Sequence, residues 1–204
     1  MVETFARGWS VTRGVPAPVP DGAALRIETG LADERRRYVF PSPTNDIGAL
    51  ARQIHEPHIL IKAPMPPDAV AAQLPSHWHV ERTGTMMTVD TLPRDVGALP
   101  MGISAVTEWR GAVFFATLTS AEGAAIGQGR MTLVDGRALH DRINVDQAHW
   151  RRGLGGAIMR LLGIEARRHG IDRGILTATI AGRALYETLG WQARAPWTTA
   201  QINA

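Results

Sequence analysis

The chain has 204 residues, 45% apolar and 20% charged, a composition that is typical of a globular protein and excludes a disordered or fibrous one. It contains no cysteine, which excludes disulfides, thiol nucleophiles and cysteine-ligated zinc. The formal net charge of +3 is too small to indicate a nucleic-acid partner. No apolar stretch approaches the ~18 residues of a membrane span, and residues 1–7 lack a signal pattern. We therefore expect a soluble, cytoplasmic protein without a membrane partner.

The first half of the chain predicts an extended lead-in followed by short strands and helices. Residues 1–22 end in a proline-rich stretch and are interpreted as an arm, and the run Arg35-Arg36-Arg37 is interpreted as a solvated edge. Residues 91–102, with two prolines and two glycines, are the best linker candidate. Strands are predicted over 25–28, 37–40, 58–63 and 78–89, and helices over 45–55 and 67–74.

The second half predicts a strand meander that leads into a helix, a strand, a second helix and a last strand. An Asp135-Gly136 pair indicates a tight hairpin between two of the meander strands. The first helix begins at Leu154 and ends near Gly170. The predicted strands cover 109–119, 124–134, 137–146, 174–180 and the residues from Trp191 onward, and the second helix covers 182–189.

The most informative segment runs from Ile143 to Ala157, from the end of a strand through an arginine- and glycine-rich turn into a helix. Such a turn points backbone N–H groups at one spot, and the helix N-terminus adds unsatisfied donors and partial positive charge. This arrangement indicates a pyrophosphate site. A P-loop is excluded because Lys62 is the only lysine, and a dinucleotide fingerprint would need glycine where Ile158 stands. The alternative is a glycine-rich helix start that binds nothing.

Two motifs in this half resemble those of one enzyme superfamily. Trp150-Arg151-Arg152-Gly153-Leu154-Gly155 resembles the coenzyme A-binding motif of the GNAT acetyltransferases, Gln/Arg-x-x-Gly-x-Gly/Ala. The stretch from Gly182 to Trp191 resembles the Leu-Tyr-x-x-x-Gly-Phe signature of the same superfamily. The resemblance covers about residues 109–191. It implies an α/β (α+β) fold in which helices flank a mixed, mostly antiparallel sheet, with an N-terminal α/β segment in addition.

The resemblance also implies acetyl-CoA as a co-substrate and assigns the residues that bind it. Backbone amides of the turn would hold the diphosphate, and the end of the preceding strand would bind the pantetheine arm like an added strand. The residues so assigned are Ile143, Asn144, Val145, Trp150, Arg151, Arg152, Gly153, Leu154, Gly155, Gly156 and Ala157. Two positions depart from the superfamily pattern, Trp150 where glutamine or arginine is usual and Thr179 where asparagine is often found.

The catalytic residues follow from the same resemblance. Tyr186 falls on the tyrosine that protonates the departing CoA thiolate, and an ordinary tyrosine pKa near 10 suits this role. Asp141 is the candidate base, because it precedes the turn on a strand where relatives often have a glutamate. Strand alternation predicts that it shares a face with Ile143 and Val145. His140, on the opposite face, is the rival, and a water chain could also serve.

The histidine pairs His55/His58 and His77/His79 have spacings seen in metal sites. A zinc site needs a third ligand and usually a supporting carboxylate, so no metal is expected.

Residues 1–95 are predicted to form the N-terminal segment, and residues 96–204 the acetyl-CoA-binding catalytic domain. The helix–strand–helix–strand order after residue 45 repeats the order after Gly153, which makes the first segment a candidate degenerate half-GNAT copy.

The predicted reaction is direct transfer of an acetyl group from acetyl-CoA to an amine of a small molecule or peptide. A non-catalytic acyl-CoA sensor or regulatory module and an acetyltransferase for charged tRNA remain alternatives. The C-terminal strand could pair across a homodimer.

Overall fold

In the computed structural model, which describes residues 1–95 and 97–202, the chain divides into two units. The first unit contains residues 1–87, 177–183 and 193–204, and the second contains residues 88–176 and 184–192. The elements in chain order are α1 (Val2–Arg13), β1 (Val19–Asp21), β2 (Ala24–Glu28), β3 (Arg36–Val39), α2 (Ile47–Ala51), β4 (Ile59–Ala63), α3 (Pro67–Ala71), β5 (Trp78–Val89), β6 (Ser104–Arg110), β7 (Val113–Thr119), β8 (Ala125–Val134), β9 (Arg137–Val145), a 3-10 turn (Gln147–His149), α4 (Leu154–Arg168), β10 (Gly174–Ala178), α5 (Ile180–Thr188) and β11 (Gln192–Ile202). None of the helices in the described part of the chain is long and apolar enough to cross a membrane.

The chain starts with a helix, so the prediction of an extended arm over residues 1–22 was wrong. Helix α1 buries Val2, Phe5 and Trp9, and this spacing gives one apolar helical face ahead of the prolines. Gly14, with φ at 65°, ends the helix in the left-handed conformation that glycine adopts easily. The Phe5 ring meets Trp197 edge-on, with ring centroids 5.4 Å apart.

Within the first unit the strand order is β1-β2-β3-β4-β11-β5. Strands β3 and β4 run parallel, while β11 is antiparallel to β4. One face of this sheet packs a hydrophobic core against α2 and α3. Residues of that core include Tyr38, Phe40, Ile47, Ile59, Ile61, Val70, Trp78 and Ile202.

The other face of the first unit's sheet holds buried cations. Arg37 donates to both Glu34 carboxylate oxygens, at 2.6 and 2.8 Å, and its guanidinium lies 3.7 Å from the centre of a Trp9 ring. The interpretation of residues 35–37 as a solvated edge is therefore wrong for Arg37. Lys62 donates to Thr199 Oγ1 at 2.7 Å, and burial together with the positive charges of Arg37 and Arg82 lowers the pKa of Lys62 well below its usual value.

Strand β11 lies between two strands of its own chain. Thr199 pairs with Lys62 on β4, and β5 is the neighbour on the other side. Residues 198–201 of β11 are thus paired with β4 on one side, with β5 as the neighbouring strand on the other, so this part of the strand does not offer the free edge that pairing across a homodimer would require.

Within the second unit the strand order is β10-β9-β8-β7-β6, and α4 packs on β7, β8 and β9. The strand predicted over 109–119 is two strands, β6 and β7, because the chain turns at Gly111 with φ at 59°. The predicted hairpin is confirmed: Asp135 and Gly136 both have positive φ, 47° and 68°, as a type I′ turn requires. Strands β9 and β10 run parallel.

The mixed, mostly antiparallel sheets flanked by helices confirm the predicted fold class. The same order of elements occurs twice along the chain. A parallel pair of strands encloses α2 between β3 and β4, and a helix and a strand, α3 and β5, follow. A second parallel pair encloses α4 between β9 and β10, and α5 and β11 follow.

Candidate functional site

A bulge interrupts β9 just before the glycine-rich turn. Gln128 pairs with Asn144, whereas Arg130 pairs with Asp141, so three steps along β9 match two along β8. Arg142 is the extra residue of the bulge, and its φ of 51° is unusual for a residue with a side chain.

The bulge reverses the alternation that the sequence predicted for β9. A Cβ placed on Gly129 would lie 3.0 Å from Ile143 Cδ1 and 2.5 Å from Ile158 of α4, so Ile143 is on the α4 side. Asp141 pairs with Arg130, the neighbour of Gly129, and therefore faces the opposite side. The expectation that Asp141 and Ile143 share a face was wrong, because a single inserted residue shifts every later side chain to the other face.

Trp150 closes the turn that follows β9. Its indole Nε1 donates to the Val145 carbonyl at 2.7 Å, while the indole remains 59% exposed. Trp150 therefore contributes a hydrogen bond within the turn at the position where the GNAT pattern has a polar side chain, and it donates to the carbonyl of one predicted pantetheine-binding residue.

We call residues 151–157 the phosphate turn. Arg151 and Gly153 have positive φ, 61° and 76°, and Gly153 is the N-cap of α4. The first N–H groups of a helix have no partner within it, and no side chain in the described part of the chain caps this one. Its length of 15 residues gives a full dipole. Arg151 and Arg152 are exposed beside it, and Arg152 Nη1 lies 2.9 Å from His149 Nδ1. Unpaired donors, dipole and guanidinium charge all favour an anion here.

The remaining predicted residues of the phosphate turn offer backbone groups and packing contacts. Leu154 and Ala157 are buried, and Ala157 N–H donates to the Gly153 carbonyl at 3.0 Å. A Cβ on Gly155 would lie 2.8 Å from Leu185 Cδ2, so glycine permits the close approach of α4 and α5. A Cβ on Gly156 would meet only the end of the Arg160 side chain, at 3.4 Å.

Tyr186 lies on α5 and is 8% exposed, with its ring 6.4 Å from that of Trp191. Burial, followed by the negative charge of Asp141, raises the pKa of Tyr186 to about 12. The phenol therefore keeps its proton throughout the neutral range. The influence of the Asp141 charge also means that the structure brings these two candidate catalytic residues into electrostatic range of each other.

The two candidate bases differ in environment. Asp141 Oδ2 accepts hydrogen bonds from Arg130 Nε and Nη2 at 3.1 and 3.0 Å. His140 is 3% exposed, meets Trp191 edge-on at 5.1 Å and makes a 3.2 Å hydrogen bond from Nδ1 to the Ala138 carbonyl. Burial lowers the pKa of His140 to about 4. His140 is thus a neutral packing residue on the covered side of the sheet, and Asp141 is the better placed of the two.

Sequence reasoning missed Arg130, although a signal for it exists. The two-residue turn at Asp135-Gly136 pairs Val134 with Arg137, and counting outward from it pairs Arg130 with Asp141. At α5, Thr179 Oγ1 accepts from the Gly182 N–H at 3.0 Å, so threonine caps this helix where the GNAT pattern often has asparagine.

The histidine pairs form contacts of other kinds. His55 stacks on His77 with ring centroids 4.8 Å apart, and His77 Nε2 makes a 3.0 Å hydrogen bond to the Ile54 carbonyl. His79 Nε2 lies 3.4 Å from Glu81 Oε2. Among residues 1–95 and 97–202, no three histidine or acidic side chains converge as a metal site would require.

Comparison with known proteins addresses the segment that holds the phosphate turn and Tyr186. The family model of the acetyltransferase (GNAT) domain matches residues 110–193. No curated protein matches the chain at a significant level.

Solved structures match over more of the chain. A GCN5-related N-acetyltransferase from Kribbella flavida is similar over 100% of this chain and 96% of its own, with 12% identity and a TM-score of 0.70. Another from Sphaerobacter thermophilus matches over 87% and 76%, with 14% identity and a TM-score of 0.63. A tandem GNAT protein from the clavulanic acid biosynthesis pathway matches over 91% and 78%, with 20% identity and a TM-score of 0.56.

At these identities the solved structures establish the fold, while the family model matches the segment that contains the phosphate turn and Tyr186. Residues 110–193 therefore match the acetyltransferase (GNAT) domain model, and the whole chain has the fold of these GCN5-related N-acetyltransferases.

Proposed function

We propose that this protein transfers an acetyl group from acetyl-CoA to a primary amine of a small molecule or peptide. The observation that carries the proposal is the uncapped N-terminus of α4, which follows a bulged strand and is flanked by two exposed arginines. This combination suits a diphosphate next to an extended arm that lies along β9.

The donor would bind along one continuous stretch of the second unit. Backbone N–H groups of the phosphate turn would hold the diphosphate, with Arg151 and Arg152 adding charge. Ile143, Asn144 and Val145, after the bulge, would bind the pantetheine arm through their backbone, and the Val145 carbonyl also accepts from Trp150. The chemistry of this donor set, N–H groups and guanidinium, fits phosphate oxygens.

In the reaction the amine nitrogen attacks the thioester carbon, forming the C–N bond as the C–S bond breaks. Tyr186 donates its proton to the departing thiolate, and the high pKa of the phenol keeps it protonated for this step. Asp141 receives the proton that the amine loses. Direct attack in a ternary complex is the consistent route, because the chain has no cysteine to carry the acyl group.

A non-catalytic acyl-CoA sensor is the second candidate. It is favoured by one observation, the engagement of Asp141 Oδ2 by both Arg130 nitrogens, which competes with proton uptake at that oxygen. Binding without turnover for every amine offered would select this function.

We further infer that residues 1–95 contribute a degenerate half-GNAT copy and that residues 96–204 supply the donor site, so that each chain binds one acetyl-CoA. The parallel pair β3–β4 supports the copy, because it encloses a helix as the pair β9–β10 does. We place the protein in the cytoplasm, where acetyl-CoA is available.

The test is thermal unfolding of the full chain with saturating acetyl-CoA, with NAD and ATP as controls. At 100 times Kd the ligand adds about 2.7 kcal/mol, which raises Tm by several degrees for a chain of this size. A shift with acetyl-CoA alone supports the donor site, and equal shifts with all three ligands, or none, contradict it.

A matched pair of variants locates the site. Gly156→Pro removes one N–H from the first turn, where proline is tolerated because that N–H has no helical partner. Gly156→Ala keeps the N–H and adds a Cβ that meets only the Arg160 side chain. We expect the acetyl-CoA shift to fall in Gly156→Pro and to persist in Gly156→Ala, and equal shifts in both would contradict the phosphate turn.

A further inference from the structure

A small cavity lies on the sheet of the second unit, on the face away from α4. The side chains of Gln128 and Arg130 point to this face, because Gly129 between them faces α4. The cavity measures about 60 Å³, room for a small charged group rather than for a whole ligand. Its lining residues are Phe115, Gln128, Gly129, Arg130 and Arg142, a set with two guanidinium groups and no carboxylate.

Arg142 determines the charge of this cavity. Arg130 is neutralised by its salt bridge to Asp141, at 3.0 Å. For Arg142, by contrast, no acidic partner occurs within the described ranges 1–95 and 97–202, and the residue is exposed. One positive charge therefore remains for a ligand.

The β9 bulge brings Arg142 to this position. Its φ of 51° is disfavoured for any residue with a Cβ, and at an arginine such a conformation suggests a functional reason. Ile143 and Asn144 follow directly, so the guanidinium adjoins the strand segment assigned above to the pantetheine arm. Asp141, the assigned proton acceptor, precedes it by one residue.

We propose that this cavity binds a carboxylate of the acceptor, so that the substrate is an amine that also carries a carboxylate, such as an amino acid. The inference rests on the proposed acetyl transfer and specifies its substrate class. Arg142 presents paired N–H donors that match the two oxygens of a carboxylate, and the Gln128 amide adds a further donor. Phe115, opposite Arg130 on the neighbouring strand, gives the carbon next to the carboxylate an apolar surface. An acceptor held in this way lies beside Asp141, and Arg142 acts as a specificity-determining residue.

The test compares amines that differ only in the carboxylate. CoA release from acetyl-CoA is measured with the twenty amino acids, their amides and the corresponding decarboxylated amines, and binding of the N-acetyl amino acids is measured by calorimetry. We expect turnover and binding to be confined to compounds with a free carboxylate. Equal use of amides or simple amines, or neither turnover nor binding with any carboxylate, would overturn the proposal.

Variants distinguish the specific role of Arg142 from the general effect of removing a positive charge. Arg142→Gln should raise KM for the carboxylate acceptors by at least tenfold with a much smaller change in kcat, and Arg142→Lys should restore part of the loss. Arg173→Gln, an exposed arginine elsewhere on the second unit, is the matched control and should leave KM unchanged. An unchanged KM in Arg142→Gln would also overturn the proposal.

The thermal shift with acetyl-CoA distinguishes the two proposals. Arg142→Gln should retain the full shift, because the diphosphate binds elsewhere. If the wild-type chain shows no such shift, the proposed acetyl transfer fails. If it shows the shift but acetylates amides as readily as acids, only the substrate class fails.

Discussion

The turn from β3 to α2 and the turn from β9 to α4 occupy the same place in the order of elements but differ in chemistry. Each connects the first strand of a parallel pair to the helix that precedes the second strand. The β9–α4 turn contains glycine and arginine and leads into a helix of 15 residues. The β3–α2 turn contains Pro41 and Pro43 and leads into a helix of five residues whose N-cap is Asp46.

These residues give the two turns opposite affinities for an anion. Proline has no N–H to donate, and the Asp46 carboxylate, which accepts from Thr44 Oγ1 at 2.7 Å, places negative charge where a phosphate would bind. The strand–helix–strand topology alone therefore provides no phosphate site. In the proposed site, free N–H groups and positive charge at the β9–α4 turn provide the affinity.

The largest effect on the reaction rate is expected at Tyr186 of the second unit, and Tyr38 of the first unit provides the comparison. Tyr186→Phe removes the proton donor, so the rate of CoA release should fall ~10²- to 10⁴-fold while acetyl-CoA binding persists. Tyr38→Phe, the matched change in the core of the first unit, should leave kcat within a few fold. Steady-state kinetics and calorimetry of both variants make the comparison. Equal rates in Tyr186→Phe and the wild type would mean that another group protonates the thiolate.

The next largest effect is expected on the pH dependence of stability, through two buried bases, His140 in the second unit and Lys62 in the first. Folded His140 binds a proton only below about pH 4, whereas the unfolded chain binds it below its ordinary value of 6.5. The unfolding free energy therefore falls as pH drops from 6.5 to 4, by roughly 3 kcal/mol for this group. His140→Met should flatten this acid limb in urea titrations, and His79→Gln, an exposed control, should not.

Lys62 affects the unfolding free energy in a different pH window from His140, and here too the unfolding free energy rises as pH rises. The unfolded chain keeps this proton up to about pH 10.5, while the folded protein loses it at lower pH. Stability therefore rises with pH towards 10.5, and Lys62→Met should remove that rise. An acid limb that disappears in Lys62→Met instead of His140→Met would contradict the assignment of the windows.

The smallest effect is expected at the two turns themselves. Arg151→Gln and Arg152→Gln should each weaken acetyl-CoA binding by about tenfold, less at high salt, because each removes one charge-assisted contact. Asp46→Asn in the β3–α2 turn should leave both Kd and a stoichiometry of one unchanged. Calorimetry at two salt concentrations measures all three variants, and a second binding event in any of them would contradict the single donor site.

Local sequence signals predicted those parts of the fold that depend on neighbouring residues. The 135–136 hairpin, strand β5 and the start of α4 at Leu154 all follow from short patterns of glycine, apolar spacing and turn chemistry. The function proposed for the phosphate turn depends on the same kind of local signal, since it requires consecutive backbone N–H groups. Its position relative to Tyr186 came from a resemblance, which the match over residues 110–193 confirms at the level of the family.

The missed features depend on partners that are distant in sequence or on single-residue irregularities. The bulge at Arg142 contains no glycine that would indicate it in the sequence. Simple strand alternation therefore predicted the wrong face for Asp141. Arg37 is buried against Glu34 and against Trp9 of α1. A run of three arginines in the sequence does not reveal these partners. Strand β6 is almost entirely exposed and shows no alternating pattern.

The position of β11 between β4 and β5 constrains the order in which the protein can fold during synthesis. Lys62 and its partner Thr199 are 137 positions apart, so their contact closes a very long loop. The strands of the second unit from β6 to β9 are joined by short turns and can pair as they leave the ribosome. The first unit, although it begins the chain, must wait with β4 and β5 unpaired at facing edges until residues 192–202 arrive. We therefore expect the end of the chain that is made first to become protease-resistant last.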